Sequence, residues 1–438
     1  MNEVQRRTML KWGVAGAGAS VVSMAQASPD LAQQLRGLVD DPQCPLPGLS
    51  VLVLRQGEVV FEGQYGHRVV ASESRPALPV TPDTLFRIAS VTKLVVLMGL
   101  MRLVEAGRMS LDEDVSERLG FRLRHPRFAD VAITPRLLLS HRSGLTDAGG
   151  LFFELPATLQ GLLGAQGSIA ARAWGERAPG AFFQYCNLNY GVLASVMEVA
   201  AGRRFDHLMR ELVQVPLGMA GGFDASALPP EQLAQVAVLY RKRRDEQPYD
   251  TAGPWVPQVD DFSREPPKPF KGLADYKLGS NGTLFGPQGR LRVRVKDLGT
   301  IARMLLAEGR HDGRAFLRPE SVRLICTEQW RFEAQAGNGD NLGGLFQAWG
   351  VGLQHFIDRS EGGRGDRVFA GQEAWGHLGF AYGLHSGLLI DPRRGNGIAY
   401  AISGEGADPE KFRGRHSSLP LFEERLQGML WAHAKEGA

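Results

Sequence analysis

The sequence predicts an α/β fold with an added helical part. An antiparallel sheet flanked by helices is formed from both chain ends, around an inserted, mostly helical domain. Near the front, "GLSVLVLRQGEVVFEGQYGHR" from Gly48 holds two β-rich runs joined at Gln56-Gly57, a hairpin signal. Near the end, "GLHSGLLIDPRRGNGIAYAIS" sets Leu388–Ile390 and Ile398–Ile402 on either side of a Pro/Gly/Asn turn. Between these ends the patterns are mostly helical, over 91–106, 188–201 and 205–215, and again over 297–308, where Asp297 reads as an N-cap. A helix-patterned segment from Leu419 to His433 closes the chain.

This order divides the chain into an α/β domain of 28–85 plus 290–438 and a helical insert of 86–289, with a cleft between them. The stretch 244–289 is rich in Pro, Gly and Asp without a period, so it reads as a long loop at the cleft mouth. Two basic runs need a place. RKRR at 241–244 reads as a solvated face, and RLRVRVK at 290–296 as a strand with Leu291, Val293 and Val295 on one side and arginines on the other.

Residues 1–27 are of another kind. Arg6 and Arg7 precede a weakly apolar, Gly- and Ala-rich run that ends in Ala25-Gln26-Ala27, the pattern of a twin-arginine export signal with a small-x-small cleavage site. The run is too short and Gly-rich for a stable membrane span, so a periplasmic or secreted protein is expected. The chain has 438 residues, 43% hydrophobic, with a formal charge of +3, which excludes dominant disorder and gives no reason to expect a nucleic-acid or membrane-surface partner. Cys44, Cys186 and Cys326 allow one disulfide at most and match no metal motif. No metal or other cofactor is expected, since the ten histidines form no HExxH or comparable pair.

"FRIASVTKLVVLMGLMRLVEAG" puts Ser90 and Lys93 three residues apart at the head of an apolar helix. Either the ammonium snorkels to water or the site wants a lysine that can lose its proton. On a helix, positions i and i+3 share a face, so Nζ can reach Oγ, and a serine amide at a helix start is free for an oxyanion. "APGAFFQYCNLNYG" then sets Tyr185 and Asn187 two apart before the next helix, where a phenol and an amide can both face one cleft; the other reading is a buried tyrosine and a helix-capping asparagine. "EAWGHLGFAYG" places His377 and Gly379 on an expected edge strand beside the cleft, and the amide of Phe380 as a second oxyanion donor. Taken alone, His377 reads as a structural histidine.

In this order the three elements resemble the penicillin-recognising serine hydrolases, in the class C β-lactamase, D-alanyl-D-alanine peptidase and esterase branch. The likeness runs from the hairpin at Gly48 through "LLLSHRSGL" at 137–145, "YCN" and "HLG" to the C-terminal hairpin. It implies that Ser90 is the acylated nucleophile and that Lys93 and Tyr185 share its proton, with the choice of base open. Asn187 would orient Lys93 and the substrate, His377 would stand where many relatives have lysine, and the Ser90 and Phe380 amides would hold the oxyanion. His141 is expected to be scaffold. Many β-lactamases carry Lys-Thr-Gly where this chain has His377-Leu378-Gly379, which removes a cation and a hydroxyl from carboxylate recognition. Cys186, between Tyr and Asn, is a small change from the more usual serine. The expected activity is cleavage of a small ester, amide or peptide, with an esterase ahead of a D-amino-acid peptidase and a β-lactamase third. A penicillin-binding or ligand-sensing protein without turnover is the alternative of another class. An α/β-hydrolase triad lacks its Gly-x-Ser-x-Gly elbow here.

Overall fold

Strand β1 (Gly48–Arg55) is buried from Gly48 to Leu54, which is why it reads as a continuous apolar run rather than an alternating one. In the computed structural model, which describes residues 29–245, 247–361 and 364–436, β1 lies inside a nine-stranded sheet. Beside it run β2 (Glu58–Val69) and β3 (Leu78–Pro79) from the front of the chain. From the far end come β4 (Trp330–Arg331), β5 (Ala348–Trp349), β6 (Gln354–Phe356), β7 (Ala374–Ala381), β8 (Leu384–Asp391) and β9 (Asn396–Ile402). The order is β4-β5-β6-β7-β8-β9-β1-β2-β3, with every neighbouring pair antiparallel. The two chain ends therefore meet at the β9–β1 seam, where Val51 faces Tyr400 and Val53 faces Ile398.

Both hairpins have local causes. Arg55 pairs with Glu58 across Gln56 (φ 51°) and Gly57 (φ 80°), a two-residue turn with both φ positive, which suits glycine and matches strand twist. Between β8 and β9, the Asp391 carboxylate accepts the amides of Arg393 and Arg394 and closes the turn.

The period of two sends alternate residues of the central strands into two cores. On one face Leu49, Val51, Val53, Tyr400 and Ile402 pack with α1 (Pro29–Val39) and α6 (Leu421–Lys435). On the other face Leu52, Leu54, Ala399 and Ala401 join the main core with α5 (Val295–Leu306), α2 (Thr92–Glu105) and α4 (Leu188–Ala201). α2 is buried from Thr92 to Met101, as an all-round apolar helix must be.

Several local expectations change. Within RLRVRVK only Arg292–Val293 forms strand, paired with Phe86–Arg87, and Val295 already begins α5. The arginines do not share a solvated side: Arg292 is buried because Asp260, distant in sequence, takes its guanidinium. Arg294, not Asp297, is the N-cap of α5; Asp297 sits at N3 and its carboxylate accepts the Arg294 amide. In RKRR, Arg241 is half-buried against the buried Glu405. The helix at 205–215 runs as Phe205–Met209 and then a π turn, Arg210–Gln214. The excursion at 244–289 contains a strand, Trp255–Val259, and residues 281–287 are all buried. All three cysteines are free, and among the described residues no helix is long and apolar enough to cross a membrane. The predicted export signal lies outside the described residues.

At the C-terminal side of the cleft, buried His385 on β8 sits between Glu405 and Glu423, with both ring nitrogens 2.9 Å from a carboxylate. Burial alone would lower its pKa, but Glu423 and Glu405 raise it to about 9. A raised folded-state pKa stabilises fully below the unfolded value of about 6.5 and is lost as pH rises through about 9. Wild type is therefore expected to lose on the order of 3 kcal/mol between those limits through this group. In denaturant unfolding His385→Gln should show a flatter pH dependence, and equal slopes in the two proteins would remove His385 as the cause.

Candidate active site

The segment before α2 is a single 3₁₀ turn, Ala89–Val91, so Ser90 sits in the turn that leads into the regular helix. Ala89 holds φ 41°, a left-handed backbone costing about 1–3 kcal/mol that persists only where packing imposes it. Ser90 is part-exposed to a cleft of about 1170 Å³, and among the described residues its amide has no acceptor. β7 is not an edge strand of the sheet, since Ala374–Gly376 pair with β6. Beyond Gly376 that side of β7 is released from β6, and there it passes Ser90. A Cβ on Gly379 would stand 2.5 Å from the Ile88 carbonyl and 3.1 Å from the Ser90 amide, so only glycine lets the strand approach the serine.

Lys93 does not snorkel. Its side chain is fully buried, and Nζ donates to Ser90 Oγ at 3.0 Å, Asn187 Oδ1 at 2.8 Å and the Gln288 carbonyl at 2.8 Å. The rings of Tyr185 and Tyr190 lie 5.0 and 5.2 Å from the nitrogen. No carboxylate touches it among the described residues. Burial lowers its pKa to about 7, against a smaller raising effect from Asp147. In the neutral amine, two N–H groups can serve Asn187 and Gln288 while the lone pair meets Ser90 Oγ.

Asn187 begins α4 but its side chain does not cap it. The cap comes from Asp147, whose carboxylate accepts the backbone amides of Asn187 and Leu188 and the Asn187 side-chain amide at 2.8 Å. This fixes which end of Asn187 faces Lys93. The intervening Cys186 is buried with its Sγ toward Asp147, which leaves Tyr185 and Asn187 to line the cleft.

Tyr185 is clamped between His141, stacked at 4.4 Å, and Phe346, stacked at 5.2 Å. Burial raises the phenol well above its ordinary pKa, opposed by the Ser90 hydroxyl beside it, so it is protonated at neutral pH. His141 follows α3 (Pro135–Leu139) at φ 55°, and its Nδ1 accepts the Cys186 amide at 3.1 Å, a scaffold contact that holds the Tyr185 segment. Burial, then Lys93, pushes the His141 imidazole well below its ordinary pKa.

His377 is buried, with Nδ1 2.6 Å from the Leu378 carbonyl and Nε2 without a partner among the described residues. Burial, then Lys93, lowers its pKa to about 3. A neutral imidazole stands there. Leu378 and Phe380 line the cleft, and the Phe380 side chain is 54% exposed.

Ser90, Lys93, Tyr185, Asn187, His377, Gly379 and Phe380 are thus brought together. Asp147, Gln288 and Phe346 belong to the same constellation and are not evident from spacing: a backbone carbonyl has no side-chain signature, and Asp147 is one acid in an unpatterned segment. Among the described residues no His/Cys/Asp/Glu group is arranged to hold a metal ion.

A family model described as Beta-lactamase matches residues 30–419. The chain belongs to the beta-lactamase family. It is similar to Esterase EstB of Burkholderia gladioli, 32% identical over 230 residues, which are 48% of this chain and 53% of that protein. The chain thus spans about half the length of that relative. Penicillin-binding protein 4 of Amycolatopsis lactamdurans is 26% identical over 79% of this chain and 77% of its own. Among solved structures, D-amino acid amidase from Ochrobactrum anthropi SV3 aligns with TM-score 0.63 and 23% identity, over 93% of this chain and 99% of the amidase. That likeness places the family's fold over nearly the whole described chain.

Of the groups that raise the Lys93 pKa against burial, Asp147 has the largest effect. Asp147→Asn should therefore lower it below about 7, read by titrating the Lys93 Nζ or Cε resonance in labelled protein. An unchanged or raised value would contradict this electrostatic account.

Proposed function

We propose that the chain is an exported serine hydrolase that cleaves an ester or amide through an acyl-enzyme on Ser90. The observation that carries this reading is the buried Lys93, with Ser90 Oγ at 3.0 Å and no carboxylate to hold its proton. Neutral Nζ takes the Ser90 proton as Oγ attacks the substrate carbonyl carbon. The carbonyl electron pair moves to oxygen, which the amides of Ser90 and Phe380 receive. As the intermediate collapses the leaving group takes a proton from the Tyr185–Lys93 pair, and water then releases the acyl group from Ser90. The raised Tyr185 pKa favours Lys93 as base and the phenol as proton donor.

Esterase activity is put first. A neutral His377 and an apolar Leu378 remove the cation and hydroxyl that the third motif of many β-lactamases supplies, and the relative EstB is named an esterase. A D-amino-acid peptidase is the second reading, supported by the D-aminopeptidase of Gluconobacter oxydans, 30% identical over 40% of this chain. β-Lactamase activity is third. Export rests on Arg6, Arg7 and Ala25-Gln26-Ala27, and fractionation should find the Arg6→Lys, Arg7→Lys double variant retained in the cytoplasm.

With p-nitrophenyl esters, wild type should show a burst of nitrophenol and an acyl mass on Ser90, and Ser90→Ala should lose about 10³-fold or more in kcat. Since the base must be neutral, kcat/KM should rise with pH through about 7 and then level. A Ser90→Ala variant as fast as wild type would sink the mechanism. Stable labelling by a fluorescent penicillin without release would favour the binding-protein alternative.

A further inference from the structure

The cleft wall formed by residues 286–290 carries a charge that the acyl-transfer machinery does not use. Arg87 and Arg290 line it with Arg292 buried behind them, and among the described residues the one carboxylate that Arg87 and Arg292 contact is Asp260. Each Asp260 oxygen already accepts from both Arg87 and Arg292: Oδ1 at 2.8 and 2.5 Å, Oδ2 at 3.1 and 3.0 Å. That exhausts the carboxylate's acceptor sites. Arg290 is left over. Among the described residues its guanidinium has no hydrogen-bond or ion-pair partner, and its Nε is a buried donor without an acceptor.

Arg290 is nonetheless held in place. Its guanidinium lies 4.7 Å from the Phe270 ring centroid and 5.6 Å from that of Phe152, contacts that position a cation without neutralising it. Arg290 and Phe152 line the same cleft as Ser90, and Arg290 is two residues past the carbonyl that holds Lys93. The other carboxylates on the cleft wall are engaged, Glu423 by His385 and Tyr400 and Glu410 by Arg413. A planar, half-buried guanidinium on a cleft wall, whose donors meet no protein acceptor among the described residues, is complementary to a carboxylate.

We propose that Arg290 is a substrate-binding residue, and that the ester or amide cleaved at Ser90 bears a carboxylate which Arg290 receives, with Phe152 covering the apolar part beside it. This rests on the acyl-enzyme reading above. It locates anion recognition on the 286–290 wall, in place of the strand where His377 and Leu378 lack a charge and a hydroxyl.

The test compares matched esters: p-nitrophenyl butyrate against mono-p-nitrophenyl glutarate, with the carboxylate on the acyl side, and phenyl acetate against 4-acetoxybenzoate, with it on the leaving group. Wild type should favour the carboxylate member of at least one pair by about tenfold or more in kcat/KM. Arg290→Gln should abolish that preference, chiefly through KM, and leave the neutral esters within about threefold, while Arg290→Lys keeps part of it. No preference in either pair, or an equal loss on neutral and anionic esters in Arg290→Gln, overturns the proposal. Benzoate binding, measured by calorimetry on wild type and on both Arg290 variants, needs no turnover. It should weaken about tenfold in Arg290→Gln, and equal affinity in all three overturns the proposal even if Ser90→Ala has disproved the acyl-enzyme.

Discussion

The burial of one lysine without a countercharge is the constraint on which the rest of this structure depends. Moving the Lys93 pKa from 10.5 to about 7 corresponds to on the order of 5 kcal/mol withheld from the charged form, which the surrounding core must offset. That explains why α2 and α4 are apolar almost all round and pack together, and why Tyr190 is buried beside the amine. It also explains the neighbouring imidazoles. His141 and His377 are both held neutral by burial and by Lys93, so neither imidazole adds a positive charge beside the amine.

Asp147 balances this arrangement. It stays out of contact with Lys93 and spends its oxygens on the start of α4 and on the amide end of Asn187. The carboxylate therefore steers the lysine's partner without neutralising the lysine. A direct Asp–Lys ion pair at the same depth would have restored the ammonium.

What could be read before folding was whatever is encoded within a few residues. Both hairpins announce themselves in their turns, α4 matches its pattern from Leu188 to Ala201, and Ser90 and Lys93 meet because one helical turn joins them. Tyr185, Asn187, His377 and Gly379 were legible through their order along the chain, which carries the family likeness. Contacts made only by the tertiary fold were not legible. Arg292 satisfies a period-two pattern as well as any solvated strand residue, and nothing near it reveals that Asp260 will draw it inside. Asp297 has the right residue type for a cap, but Arg294 adopts the extended backbone three residues earlier. The pairing of β6 with Ala374–Gly376 closes the first part of an expected edge, and it was not legible because β6 is too short to carry a strand signal of its own.

The three acceptors of Lys93 lie 3, 94 and 195 residues away along the chain. An unfinished fold, lacking Gln288 or Asn187 at their stations, leaves that lysine hydrated as an ordinary ammonium and Ser90 as an ordinary alcohol. On the mechanism proposed above, nucleophilic character at Ser90 would thus be a property of the completed tertiary structure, absent from nascent or partly unfolded chains. Acylation of this one hydroxyl would then report on the integrity of contacts drawn from three distant parts of the chain.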